Sequence, residues 1–229
     1  MPETDCMEKA DWLISNLNAQ PTSFDYPLQG IQLYIPDAAV VRELHVQHLK
    51  VNTETPFPFW AKLWPSAIAL AEYITERGHA LTGKTVLEIA GGLGLPSLTA
   101  SSFAHEVIFT DIEPAAVSLF SNMITLNQKT NLKAFTLDWS AFPEDLSADI
   151  LLLSDVNYDD SSFKSLHQLI HRFLDRGSIV FLSTPMRLIG RPFIEPLLPF
   201  VADQQVKSIE CSGLNTMITV LALQSQVGV

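Results

Sequence analysis

The stretch from Val86 to Pro96 is the densest candidate chemistry in this chain: Glu88 and Ile89 lead into Ala90, Gly91, Gly92 and Gly94, and Leu95 and Pro96 follow. The residues from Lys84 to Ala90 read as a strand and those from Leu95 to Ala104 as a helix. A glycine-rich turn between a strand and a helix lets the backbone approach a ligand with no Cβ in the way. The helix start beyond it offers unpaired N–H groups. A dinucleotide fingerprint needs another glycine three residues after Gly94, and Ser97 stands there instead. Glu88, an acid inside the strand, suits a cofactor with a cationic amino-acid end. S-adenosylmethionine (SAM), which carries an ammonium and a sulfonium, has that chemistry.

Two further strand ends carry acids. The strand from Glu106 ends at Asp111, where a carboxylate can accept hydrogen bonds from both hydroxyls of a ribose. Glu113, next to Pro114, stands closer to the cap of the following helix, which leaves Asp111 for a ligand. The next strand runs into Asp138 and Trp139. An aromatic there can stack on an adenine, and the carboxylate can accept from its amino group. After a fourth strand come Ser154, Asp155 and Tyr158. Ligands in open α/β sheets bind outside the carboxyl ends of the strands, which places Asp155 and Tyr158 at a pocket mouth. Their three-residue offset brings both to one rim if the turn is already helical.

These residues need a scaffold, and the hydrophobic periods supply one. Strands are expected at Lys84–Ala90, Glu106–Asp111, Leu132–Leu137, Asp149–Ser154 and Ser178–Ser183, with helices at Leu95–Ala104, Pro114–Gln128 and Phe163–Asp175 between them. A proline-flanked helix is expected at Phe193–Val201, then a strand pair at Val206–Glu210 and Thr216–Leu223. This alternation implies a Rossmann-like α/β fold: a seven-stranded, mostly parallel sheet with helices on both faces and an antiparallel hairpin at one edge. Upstream, residues 1–28 read as a short amphipathic helix with Trp12, Leu13 and Leu17 on one face, followed by a loop. Gln29–Ile35 and Glu43–Val51 read as strands, which puts His45 and His48 on opposite sides of one. Thr55–Pro58 is a breaker, and Trp60–Arg77 has helical spacing that Gly78 ends. We divide the chain into an N-terminal extension, 1–55, packed on a core domain, 56–229.

In order and spacing, Glu88–Gly94, Asp111, Asp138–Trp139 and Ser154–Tyr158 resemble the seven-strand class I methyltransferases. The upstream segment Phe59–Leu70, with Trp60, Lys62, Trp64 and Pro65, is similar to methyltransferase family 16. This is the protein-lysine methyltransferase-like group, some of whose members were once described as nicotinamide N-methyltransferase-like. The resemblance covers about residues 55–225. It implies that Trp64, Ala90, Gly91, Gly92, Gly94, Asp111, Trp139 and Ser154 line a SAM pocket, with Glu88 and Asp138 beside them. It also implies an acidic-x-x-aromatic motif, here Asp155 and Tyr158, at the methyl-transfer centre. The family pattern begins its turn with glycine where this chain has Ala90. Alanine tolerates a β-region φ and disfavours a positive one, so the turn departs from the pattern at that residue.

Composition narrows the partners. The net charge is −11, and the 14 Lys and Arg form no run, which disfavours nucleic acid. The first residues are polar and acidic, and no apolar run reaches membrane-span length, so the expected compartment is the cytoplasm, with no membrane partner. Cys6 and Cys211 lie far apart and suggest neither a metal site nor a disulfide framework. His167 and His171 share a helix face with no third ligand in view. No nucleophile elbow of the Gly-x-Ser-x-Gly type occurs. The expected reaction is methyl transfer from SAM to an amine, on a lysine of a protein substrate. The alternatives are a small nicotinamide-like amine as acceptor, or a non-catalytic module that only makes protein contacts.

Overall fold

The computed structural model describes residues 12–25, 27–185, 190–211 and 213–225. Cys6 and the part of the expected amphipathic helix before Trp12 lie outside the described residues. Residues 12–16 are helical. A small two-stranded antiparallel sheet follows, with β1 at Gln20–Ser23 and β2 at Gln32–Ile35. Helix α1, Ala38–Leu49, stands where a strand was expected over Glu43–Val51. The cap decides it: an Asp37 Oδ1 accepts from the Ala39 and Val40 amides at 2.7 and 3.2 Å. Leu44 and Val46 mimic a strand's alternation, but Val41 and Leu44 recur at helical spacing and pack in one cluster with Leu17 and Ala61. His45 and His48 therefore lie three apart on a helix. The stretch expected to be helical from Trp60 splits into a 3-10 turn, Phe59–Ala61, and helix α2, Pro65–Glu76, with Pro65 opening the helix.

The core sheet has β3 at Thr85–Ile89, β4 at Glu106–Asp111, β5 at Leu132–Thr136, β6 at Ile150–Ser154, β7 at Ile179–Pro185, β8 at Val201–Cys211 and β9 at Leu214–Leu223. Its seven strands run in the order β5-β4-β3-β6-β7-β9-β8. The first five pair parallel, and β9 pairs antiparallel with both β7 and β8. The expected hairpin is present, with its second strand inserted between β7 and its first. The topology reverses between β3 and β6, and a crevice at the strand ends forms there.

The helices between strands are α3, Leu95–Ala100, α4, Pro114–Leu126, and α5, Phe163–Asp175. The expected helix at Phe193–Val201 is a short turn, α6 at Arg191–Ile194, running into a 3-10 segment, Glu195–Phe200. Strand residues alternate between two buried layers. Val86, Val107, Phe109, Ile150 and Leu152 pack with Leu70, Ile74, Leu119 and Phe120 of α2 and α4. Leu87, Ile108, Leu151 and Leu153 pack with Leu166, Ile170 and Phe173 of α5. Both sheet faces are thus covered, which is why the parallel strands read as nearly continuous apolar runs. The extension joins the first layer through Leu28, Ile31 and Leu33. The Asn127 amide side chain pairs with the backbone of Gln32, accepting from its N–H and donating to its C=O, both at 2.8 Å. No described helix is long and apolar enough to cross a membrane.

Candidate active site

A cavity of about 620 Å³ opens at the carboxyl ends of β3, β4 and β6. Its floor is the turn after β3. The Gly91 amide donates to the Thr110 carbonyl at 3.0 Å, which extends the β3–β4 pairing two residues past the end of β3. Ala90 has φ +53°, Gly92 +56° and Gly94 +69°. Ala90 therefore occupies the left-handed region that alanine disfavours. The turn is kept at a steric cost of about 1–2 kcal/mol for a residue with a Cβ. The glycines beside it are required by packing. A Cβ on Gly91 would stand 2.3 Å from Phe109, and one on Gly94 2.1 Å from Phe120. Those two rings stack under the turn at a centroid distance of 3.8 Å.

Asp111 lines the cavity and is almost fully buried. Its Oδ2 accepts from the Gly92 amide at 2.9 Å and its Oδ1 from the Glu113 amide at 3.0 Å. Burial raises its pKa, and the Glu113 and Gly92 amides pull it back down. A carboxylate offers about four acceptor sites, so Asp111 retains capacity to accept from a ligand hydroxyl. Glu113 occupies the cap position of α4 without a side-chain cap bond. Trp64, Trp139 and Ser154 also line the cavity, together with Ala90, Gly91, Gly92 and Gly94.

Two of the expected cofactor residues lie elsewhere. Glu88 is fully buried beneath the turn: Oε2 accepts from the Ser97 amide at 3.0 Å, and Oε1 has no hydrogen-bond partner. Alternation within β3 points it into the layer under the turn and away from the cavity. Burial pushes its pKa up to about 8, against the pull of Ser97 and with a small push from Asp111. It is a prop for the turn and the start of α3, its amide partner being Ser97. Asp138 is exposed and outside the cavity lining, its Oδ1 capping the 3-10 turn Trp139–Ala141 through the Ser140 amide at 2.8 Å. Cap chemistry claims this carboxylate and leaves Trp139 as the cavity residue of the pair.

Asp155 and Tyr158 both line the cavity, though not by a helical offset. The segment after β6 is irregular, and helix begins only at the 3-10 turn Asp160–Ser162. The Asp155 amide donates to the Ser183 carbonyl at 2.9 Å, continuing the β6–β7 pairing, and φ +55° at Asp155 then turns the chain. Asp is among the residues that tolerate this conformation. Asn157 is buried and accepts from the Thr184 hydroxyl at 2.8 Å, which anchors the loop from the opposite side. Tyr158 remains 49% exposed, and burial raises its pKa, followed by the charges of Asp111, Asp159 and Asp155. Its phenol stays protonated at neutral pH.

Sequence reading missed the opposite rim. Phe57, Phe59 and Lys62 line the cavity, as do Ile112 and Glu113. Phe59 packs between Trp64 and Tyr158, with ring centroids 6.1 and 5.8 Å away. Phe57 touches Phe59 and, on its other side, His45 of α1, each at 5.2 Å. The Trp64 indole N–H donates to the Phe59 carbonyl at 2.9 Å, which pins its ring. The available signal was four large aromatics from Phe57 to Trp64, among Pro56, Pro58 and Pro65, more ring area than a chain break requires. Among the described residues no group of His, Cys, Asp or Glu could hold a metal ion.

The family model described as lysine methyltransferase matches residues 28–194. The chain belongs to that family. Among curated relatives, the human histone-arginine methyltransferase METTL23 is 30% identical over 126 residues, 52% of this chain and 66% of that protein. The mouse electron transfer flavoprotein beta subunit lysine methyltransferase is 31% identical over 140 residues, 59% of this chain and 52% of that protein. The chain thus covers between half and two thirds of the length of these two relatives. In fold, it is similar to the N-methyltransferase NodS of Bradyrhizobium japonicum, solved with S-adenosylhomocysteine: TM-score 0.57, 11% identity, covering 77% of this chain and 97% of that one. The family match spans the whole cavity floor and both rims, since Phe57, Asp111 and Tyr158 all fall inside it.

Proposed function

We propose that this lysine methyltransferase family member transfers a methyl group from SAM to an amine nitrogen on a lysine of a protein substrate. One observation carries the reading: a single cavity joins a glycine turn, a buried Asp111 and Trp139 to Asp155 and Tyr158 across neighbouring strands. The residues fit SAM. The cavity has the volume of a small-molecule site, and Gly92 leaves room for close backbone approach, where a Cβ would reach 3.4 Å from the Trp60 carbonyl. Asp111 would hold the ribose hydroxyls, Trp139 would face the adenine, and Ala90–Gly94 with Ser154 and Trp64 would enclose the remainder. The bound cofactor supplies an electrophilic methyl group on a sulfonium.

The remaining work falls to the rim. A lysine amine must lose its proton, which at pH 7 costs about 4–5 kcal/mol from a pKa near 10.4, at about 1.36 kcal/mol per unit. A nearby carboxylate favours the ammonium and so opposes that loss. We therefore assign Asp155 to capture and orientation of the amine, with no role as base. Tyr158 and Phe59 would wall the channel and attract the incoming cation by their ring faces.

Titration calorimetry with SAM, then labelling of a cell lysate with methyl-labelled SAM, tests the reading. Micromolar SAM binding that NAD does not displace, with label on lysine of one or a few proteins, is the expected result. NAD binding without SAM binding sinks it. The likeness to METTL23 supports a second acceptor, arginine, and hydrolysis of the labelled protein to amino acids separates the two. Label in small amines alone would favour the nicotinamide-like alternative, and SAM binding with no label at all the non-catalytic module.

A further inference from the structure

The cavity wall contains an amine of this chain. Lys62 is an exposed residue that lines the cavity, and its ammonium stands 4.2 Å from the centroid of the Trp64 ring. That ring belongs to the cluster that reaches Tyr158 through Phe59. The indole is pinned by its bond to the Phe59 carbonyl, so its face offers a fixed seat for a cation. Lys62 itself follows the 3-10 turn in extended backbone, φ −125° and ψ 138°. Four flexible methylenes carry its amine, and an exposed cation–π contact holds only weakly, so the amine can leave the ring for the cavity interior. The carboxylates of Asp111 and Asp155 in the same cavity attract it inward.

We propose that Lys62 is a methyl acceptor in cis: the protein methylates its own Lys62 from the cavity it lines. The inference rests on the reading of the cavity as a SAM-dependent methyl-transfer site. In the step, the neutral Lys62 Nζ forms a new N–CH3 bond as the S–CH3 bond of SAM breaks. The electron pair stays on the sulfur of S-adenosylhomocysteine, the product is the methylammonium ion, and the one proton released is that which the Lys62 ammonium gave to water beforehand to become the neutral amine. The product keeps its charge and remains suited to the Trp64 ring, because aromatic faces also accept methylated ammonium groups.

The test uses the purified full chain, SAM carrying a deuterated methyl group, and mass spectrometry of a non-tryptic digest. The Lys62 peptide is expected to carry at least one methyl group as isolated or after incubation. The peptide of Lys164, an exposed residue of helix α5, is expected to carry none. The rate per molecule is expected to stay constant over a tenfold dilution, and Lys62→Arg to abolish the signal on that peptide. A second readout needs no turnover: acetylation of Lys62 by an N-hydroxysuccinimide ester should slow at least threefold when S-adenosylhomocysteine is added, with Lys164 unchanged. Methylation of external acceptors with Lys62 unmodified overturns the proposal and leaves the methyl-transfer reading standing. A rate proportional to protein concentration overturns the cis assignment. Absence of SAM binding in the calorimeter overturns both.

Discussion

The floor of the cavity and its rim are built from different material. The floor, Ala90–Gly94 with Asp111, is backbone seated on the stacked rings of Phe109 and Phe120, and its carboxylate is tied to two main-chain amides. The rim, Phe57–Trp64 with Asp155–Tyr158, is side chains, and Phe59 and Tyr158 are each about half exposed. A surface made of amides against a packed core admits few substitutions, because any Cβ meets a ring or a strained φ. A surface made of half-exposed rings can change residue by residue at little cost in stability. Under the proposed function, packing would set the shape of the cofactor site, whereas a few rim side chains would set the choice of acceptor.

Six substitutions, grouped as four probes, can break or sharpen that contrast. The largest effect is expected at the floor. Gly94→Ala combines a left-handed φ with a Cβ 2.1 Å from Phe120, and should cost about 3 kcal/mol, or roughly 6–12 °C in melting temperature. Gly92→Ala, with the same φ problem and only an ordinary contact with the Trp60 carbonyl at 3.4 Å, should cost about 1 kcal/mol. Equal melting temperatures for the two variants would remove the packing argument.

Next comes Asp111→Ala. It deletes an acceptor of charge-assisted bonds worth about 1.5–3 kcal/mol each, so SAM affinity by calorimetry should fall at least tenfold, with the circular dichroism spectrum retained. Unchanged affinity would put Asp111 outside the cofactor's contacts. The third probe moves to the rim. Asparagine tolerates the φ of +55° at Asp155, so Asp155→Asn should fold and bind SAM within about threefold of the parent, while turnover on the acceptor found by labelling drops about tenfold. Tyr158→Phe should lose less, because the ring wall survives. Loss of SAM binding in step with turnover for Asp155→Asn would merge rim and floor into one cofactor site. The smallest effect is a gain. Ala90→Gly relieves the positive φ, offset in part by greater freedom of the unfolded chain, and should stabilise by about 0.5–1 kcal/mol in denaturant titration. A destabilised variant would show that the Ala90 methyl packs usefully, which its φ alone does not reveal.

The alternation of strands and helices from Lys84 to Leu223 was legible in the sequence because each element announces itself within its own residues. Buried parallel strands are short apolar runs, and the helices between them carry their period locally, with an opening proline in α3 and α4. The same holds for the glycine turn, since Gly92 and Gly94 at positive φ and Gly91 under a ring are where glycine is needed. Asp111, Trp139, Ser154, Asp155 and Tyr158 were legible as strand-end residues for one reason: in an open parallel sheet the carboxyl edge is where ligands fit. Only the tertiary structure decided the rest. It put Glu88 in the layer beneath the turn, because strand parity rather than charge chooses the face, and burial then raised its pKa. It took Asp138 for a cap, and it made α1 of a segment whose apolar residues fit two periods until Asp37 and the contacts of Val41 chose between them. It also closed the cavity with Phe57, Phe59 and Lys62, which lie about a hundred residues from Tyr158 in the chain. Periodicity carries no information about which distant segments meet, and contact across that distance is settled only when the whole sheet has assembled.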